Sequence, residues 1–232
     1  MLRFFIVSFV FIVLSLLFLL LYQEFQLRTL TLLTTESKLN GLNILNRDNL
    51  LFINEKEVSS YLMKSNPVIK SIKIRKKFPQ TMIMQIEDRL PVAKIITGID
   101  NMYIDNDGII LTSNNNYPSF PKIIVSNISI GPNKKADWRV IKALSFINEA
   151  RKQSIIIEQI SADDTSNVFS AITSNGMIIL IPYDADPMIK ASSLQVIILR
   201  FTIVGKNITK LDFRFDKPVV TLSNGEKISS SF

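Results

Sequence analysis

Phe4–Tyr22, FFIVSFVFIVLSLLFLLLY, is a run of 19 residues without a charge, interrupted only by Ser8 and Ser15. No other stretch restricts the fold as much. At about 1.5 Å per helical residue the run crosses the ~30 Å hydrocarbon core of a bilayer, and in lipid a helix satisfies its own backbone groups. A cleavable leader carries a shorter apolar region, about 7–15 residues, and closes on small residues. Here Leu21-Tyr22-Gln23-Glu24 follows, so the expectation is an uncleaved signal anchor, with Tyr22 as an interfacial aromatic. A short tail of residues 1–3 carrying Arg3, followed by roughly 210 more hydrophilic residues, favours an N-in, C-out orientation. That puts residues 1–3 in the cytoplasm and the bulk of the chain outside it.

The remaining composition narrows the chemistry. There is no cysteine and no histidine, which removes disulfides, thiolate metal sites, the commonest general base and the commonest zinc ligand. Catalysis would rest on carboxylates, Lys, Ser and Tyr, and these show no recognisable spacing. The chain is expected to be no enzyme and to hold no cofactor. A net charge of +7 suits a domain near an anionic membrane surface. The basic residues lack interleaved aromatics, so nucleic acid is not an expected partner.

Beyond the span, Gln26–Leu33 reads as a strand and Glu36–Leu42 as a short helix. Asn54 is placed to cap a helix, with Glu55 and Glu57 at its positive end and Val58, Tyr61 and Leu62 as its core stripe. Asn66-Pro67 ends it. Ile72 and Ile74 alternate with Lys73 and Arg75, and Met82, Met84 and Ile86 alternate with Ile83, Gln85 and Glu87. Phe78-Pro79-Gln80 is the reversal between these two half-buried strands. Residues 26–92 thus read strand, helix, helix, strand, strand: a sheet covered on one face by two helices.

The next stretch, 93–223, is strand-rich. Lys94–Thr97, Asn101–Asp105 and Ile109–Thr112 are short apolar segments, with Asn106-Asp107-Gly108 as a hairpin turn rather than a calcium loop. Ser113–Asn116 reads as an exposed loop, and prolines 118, 121 and 132 set off Lys122–Ile130. Asp137 caps a helix to about Lys152, with Trp138, Ile141, Leu144 and either Ala143 or Ile147 facing the core. Ile155–Ile160, Val168–Thr173 and Met177–Ile181 follow as strands, with Asp163-Asp164 in a solvated turn. Asp186-Pro187 starts a second helix that Gly205 ends. Its core face holds Ile189, Leu194, Ile197, Ile198 and Phe201, with Lys190 and Arg200 outward. Ile208–Phe215 and Val219–Leu222 are the last strands, and 224–232 a flexible tail. The fold class is α+β: one transmembrane helix, a βααββ domain, and a mostly antiparallel β domain with two helices.

The stretch Asn66–Ala93, NPVIKSIKIRKKFPQTMIMQIEDRLPVA, resembles the POTRA module of the FtsQ/DivIB bacterial cell-division proteins. In that family a basic strand reaches a Pro-x-Thr turn and the next strand closes in Glu-Arg-x-Pro-Val-Ala; here Asp88 stands where Glu is commoner. The Asp-Gly hairpin, the helix opening at Asp186-Pro187-Met188-Ile189-Lys190 and the strand Ile208–Val220 with its Asp-x-Arg-Phe motif are similar to the family's β domain. The resemblance implies a scaffold of the divisome, held in the cytoplasmic membrane at the septum, with its domains periplasmic. It further implies FtsB-like and FtsL-like partners along the late strands and other division proteins at the POTRA domain. By position it implies that Arg214 meets an acidic side chain, that Phe215 packs beside it, and that Val219, Val220, Thr221 and Leu222 offer a backbone edge from which Pro218, lacking an N–H, is excluded. Lys190 is a weaker candidate in the same group. A POTRA-bearing scaffold of an envelope secretion or assembly machine is the alternative.

Overall fold

The computed structural model describes residues 2–33, 39–45, 48–98, 101–111 and 120–229, with side chains from residue 6 onward. It divides into two compact units, Met1–Arg89 and Leu90–Phe232, a boundary three residues ahead of the expected one at 92/93.

The first unit opens with helix α1 (Leu2–Glu24). Its segment Ile6–Glu24 is long and apolar enough to cross a membrane, and none of it is buried by the rest of the protein. Strands β1 (Thr29–Leu33), β2 (Ile69–Lys77) and β3 (Thr81–Asp88) form a sheet in the order β1-β3-β2. β1 runs parallel to β3, with Leu30 opposite Met82, and β2 runs antiparallel to it, with Ile72 opposite Ile86. Helix α2 (Glu55–Ser65) begins where expected, the Asn54 side chain accepting from the Lys56 N–H. Val58 and Leu62 of α2 pack with Met82, Met84, Ile86, Ile69 and Ile72 into one core. Tyr61 departs from expectation: it is exposed, its ring lying beside Gly41 and not in the core that Val58 and Leu62 enter. The helix expected over Glu36–Leu42 begins at residues 36–38, outside the described residues; residues 39–41 are not helical, and Leu42 opens a 3-10 turn, Leu42–Leu45.

Asn66 does more than stop α2. It is 4% exposed, and its Oδ1 accepts from the Asn40 N–H at 2.9 Å while its Nδ2 donates to the carbonyls of Asn40 at 2.9 Å and Leu62 at 2.7 Å. The side chain thus joins the end of α2 to a segment 26 residues upstream.

The second unit contains β4 (Ala93–Ile96), β5 (Asn101–Ile104), β6 (Ile110–Leu111), β7 (Lys122–Ile124), α3 (Trp138–Lys152), β8 (Ile157–Asp163), β9 (Val168–Thr173), β10 (Ile178–Pro182), α4 (Pro187–Ile203), β11 (Ile208–Asp212), β12 (Val219–Leu222) and β13 (Lys227–Ser229). The strands form one ten-stranded sheet in the order β13-β12-β11-β10-β9-β8-β7-β4-β5-β6. Pairing is antiparallel except at β4–β7, β7–β8 and β10–β11. α3 and α4 supply Val140, Leu144, Ile147, Leu194, Ile197 and Phe201 to the core, against Ile123, Ile160, Ile179 and Leu211 of the sheet.

Local chemistry explains the element ends. The Asp105 carboxylate accepts from the N–H groups of Asp107 and Ile109, and Gly108 takes φ +80°, closing the β5–β6 hairpin as a turn. Asp137 accepts from the Arg139 and Val140 N–H groups, and Asp186 from those of Met188 and Ile189. Two expected core residues are exposed: Trp138, at 56%, and Ile189, at 61%, both in the first turn of their helix. Of Lys122–Ile130, only Lys122–Ile124 is strand. Ser113–Asn116 lies outside the described residues. Residues 227–229 are not a loose tail but the terminal strand, paired to β12.

Candidate partner-binding edge

The residues expected to hold a partner fall at one end of the ten-stranded sheet. β11 stops at Asp212, three residues before the expected end. The cause is the buried Asp212 carboxylate, whose Oδ1 accepts from the Arg214 backbone N–H at 3.1 Å and turns the chain out of the ladder. The same carboxylate takes the Arg214 guanidinium in a bidentate pair, Nε to Oδ1 at 2.9 Å and Nη2 to Oδ2 at 2.6 Å. Burial alone raises the Asp212 carboxyl, but the side-chain and backbone hydrogen bonds from Arg214 outweigh it and hold the group below its usual range. The hydrogen bond to Asp212 raises Arg214 in turn.

Arg214 is therefore already paired within the chain, with its side chain 42% exposed. One face of the guanidinium lies over the Phe215 ring, 5.8 Å from its centroid. Phe215 is 55% exposed and no part of the core. Lys190 sits half-buried on α4 with its Nζ 5.2 Å from the centroid of the Phe213 ring, which is itself buried. This ties α4 to the end of β11 and sets Lys190 apart from Phe215.

The backbone edge is displaced by one strand. Val219, Val220 and Thr221 of β12 pair with Ser229, Ile228 and Lys227 of β13 on one side, and β12 pairs with β11 on the other. Val220 and Leu222 point into the core, whereas Val219 and Thr221 are half-buried on the opposite face. Among the described residues, the sheet ends at β13. The sequence signal for β13 was weak: Ile228 is its only apolar residue.

A second polar cluster was not anticipated. Arg139 on α3 donates to Asp137 at 2.9 Å and to Asp164 at 2.6 Å, and Asp164 also accepts from Tyr183 Oη at 3.0 Å and Ser126 Oγ at 3.1 Å. The Arg139 bond lowers Asp164, while burial first and the Asp164 bond second raise the Tyr183 phenol. Each member is satisfied by another, so the cluster joins α3 to the β8–β9 turn and to the end of β10. Asp163, its neighbour, accepts from Thr165 and Ser166 in the turn itself.

Residues 23–89 match the family model of the FtsQ-type POTRA domain. The cell division protein DivIB of Clostridium tetani (strain Massachusetts / E88) is 29% identical over 105 residues, covering 45% of this chain and 37% of that protein. The match thus spans little more than a third of the relative's length. Residues 23–89 thus carry an FtsQ-type POTRA domain, and the chain, with its α+β architecture and apolar α1, is similar in part to a DivIB cell-division protein.

Proposed function

We propose that this protein is a single-pass scaffold of the bacterial divisome, anchored by α1 with its two folded units outside the cytoplasm at the septum. Its task is to hold FtsB-like and FtsL-like partners at the late-strand end of the second unit, so that septal peptidoglycan synthesis is assembled and regulated there. It performs no catalysis itself. The POTRA unit offers a further surface to other division proteins.

The observation that carries this reading is the juxtaposition of a sheet that ends at β13 with an exposed aromatic, Phe215, in the bend entering β12. A terminal strand offers unpaired N–H and C=O groups to an added strand. An exposed aromatic is the kind of anchor on which binding energy concentrates. Arg214 contributes its outer face while Asp212 holds it in place, and Val219 and Thr221 form the half-buried surface beside it. Val220 and Leu222 act from the core, by fixing β12. Lys190 supports Phe213 from behind.

The full-length chain, purified in detergent with its associated proteins, tests this directly. Wild-type protein is expected to bring down an FtsB-like subunit. Phe215→Ser is expected to lower that recovery by roughly tenfold, the scale of an aromatic hot spot, and Arg214→Glu by a similar factor. Leu199→Ser, an exposed apolar change on α4, serves as control. Capture of no division protein by the wild type, or equal capture by Phe215→Ser, defeats the assignment.

A further inference from the structure

We infer that the rim of the POTRA unit around the end of α1 is a lipid-contacting surface, with Phe52 and Phe78 seated in the headgroup region of the bilayer. The inference rests on α1 being a membrane span.

No free linker separates α1 from the domain. Asn49 Nδ2 donates to the Tyr22 carbonyl at 2.8 Å, and the Leu50 N–H donates to the Phe25 carbonyl at 2.7 Å. Gln80 Nε2 donates to the Glu24 carboxylate at 3.4 Å, and the Gln80 carbonyl accepts from Arg28 and Thr29. The loop before α2 and the turn between β2 and β3 are therefore fastened to the last turn of α1, and the depth of that turn sets theirs.

Both loops present aromatics at that level. The Phe52 ring lies 6.4 Å from that of Tyr22, which lies 6.4 Å from Phe18 within the span. The Phe78 ring meets that of Phe25 edge-on at 5.8 Å. Phe52 is 70% exposed and Phe78 54%, with Leu51 also exposed beside Phe52. A soluble domain has no reason to display these together. An interfacial one does, since aromatic rings are favoured at both borders of a bilayer and apolar surface sinks about 5–10 Å into the headgroup boundary. Exposed Arg28 and Lys77 flank the two loops and can reach phosphates. Asp48 and Glu24 lie nearby and offset part of that charge, so the rings carry more of the contact than the cations. Continuity with the span is what selects lipid over protein as the occupant.

The absence of cysteine makes a depth measurement simple. Full-length protein carrying one cysteine, at Phe52, Phe78, Leu14 or Val68, is labelled with an environment-sensitive fluorophore and reconstituted in phosphatidylcholine–phosphatidylglycerol vesicles with spin-labelled lipids. Val68, exposed at the far end of β2, is roughly 30 Å from the turn at 3.3 Å per residue, and it also reports any affinity of the fluorophore itself. The expected result is loss of emission at Phe52→Cys and Phe78→Cys with a headgroup-level quencher, loss at Leu14→Cys with a mid-bilayer quencher, and none at Val68→Cys. Quenching at Leu14→Cys without quenching at Phe52→Cys and Phe78→Cys assigns the rings to a protein partner and overturns the proposal while the span stands. Equal quenching at Val68→Cys overturns it as label adsorption. No quenching at Leu14→Cys removes the span and the proposal together.

Discussion

Asn66 precedes a proline, and Asn-Pro reads as a helix stop on backbone grounds alone. Its buried amide, however, also makes three hydrogen bonds, two of them to Asn40. Replacing it by Ala leaves the Asn40 N–H and carbonyl in a partly buried site without their partner, a loss of about 2–3 kcal/mol. Urea unfolding of the full-length chain in detergent should show this as an earlier transition of the POTRA unit, while Asn54→Ala, at an exposed cap, should cost about 1 kcal/mol. Asp212 makes a different kind of test. Its folded pKa is depressed, so its stabilising contribution is complete above the unfolded value of about 4 and is lost as pH falls through the folded value. The stability difference between wild type and Asp212→Asn should therefore be largest near neutrality and shrink in acid, measured by urea unfolding at several pH values. Neither role was legible beforehand, because both depend on partners that chain geometry delivers: Asn40 from 26 residues away, and Arg214 folded back on its own strand.

Helix ends were the most legible elements, since a cap is a local event. Asn54, Asp137 and Asp186 all accept from the N–H groups they were expected to serve. The two aspartates are nevertheless unequal. Asp186 only caps, whereas Asp137 also holds Arg139 and, through its Oδ2, the Ser129 N–H. Asp186→Ala should cost about 1 kcal/mol and Asp137→Ala about 2 kcal/mol, and hydrogen exchange should show faster opening at Val140 in the latter. Strand ends were less legible. The apolar alternation of β11 continues from Leu211 through Phe213 and Phe215, yet the strand stops at Asp212 because a carboxylate competes with the ladder for an N–H. Trp138 misled for a related reason: apolar character says that a residue prefers burial, but its place in the first turn of α3 leaves it to stack edge-on against Tyr183 instead.

At the scale of the whole chain, the architecture of a span, a small α+β unit and a larger β unit was readable from hydropathy and period. The strand order was not. β7 lies between β4 and β8, and β10 lies beside β11 in parallel, pairings made across long loops or a whole helix. Periodicity tells which face of a strand is buried and is silent on its neighbour. β13 was hidden for a further reason: three residues with one isoleucine carry almost no pattern, and the strand exists because β12 supplies a ready-made edge.

That shortness has a mechanical side. Under the proposed function, pull arrives from the membrane through β4 and from the partner through β13, so tension runs across the strands rather than along them. Hydrogen bonds then open one after another, as in a zipper. β13 is held by three register pairs, and among the described residues no strand lies beyond it. It can peel from β12 while α3, α4 and the strands behind them keep their packing. The partner would thus be gripped through a sacrificial joint, one that yields before the scaffold does and can close again when the load is gone.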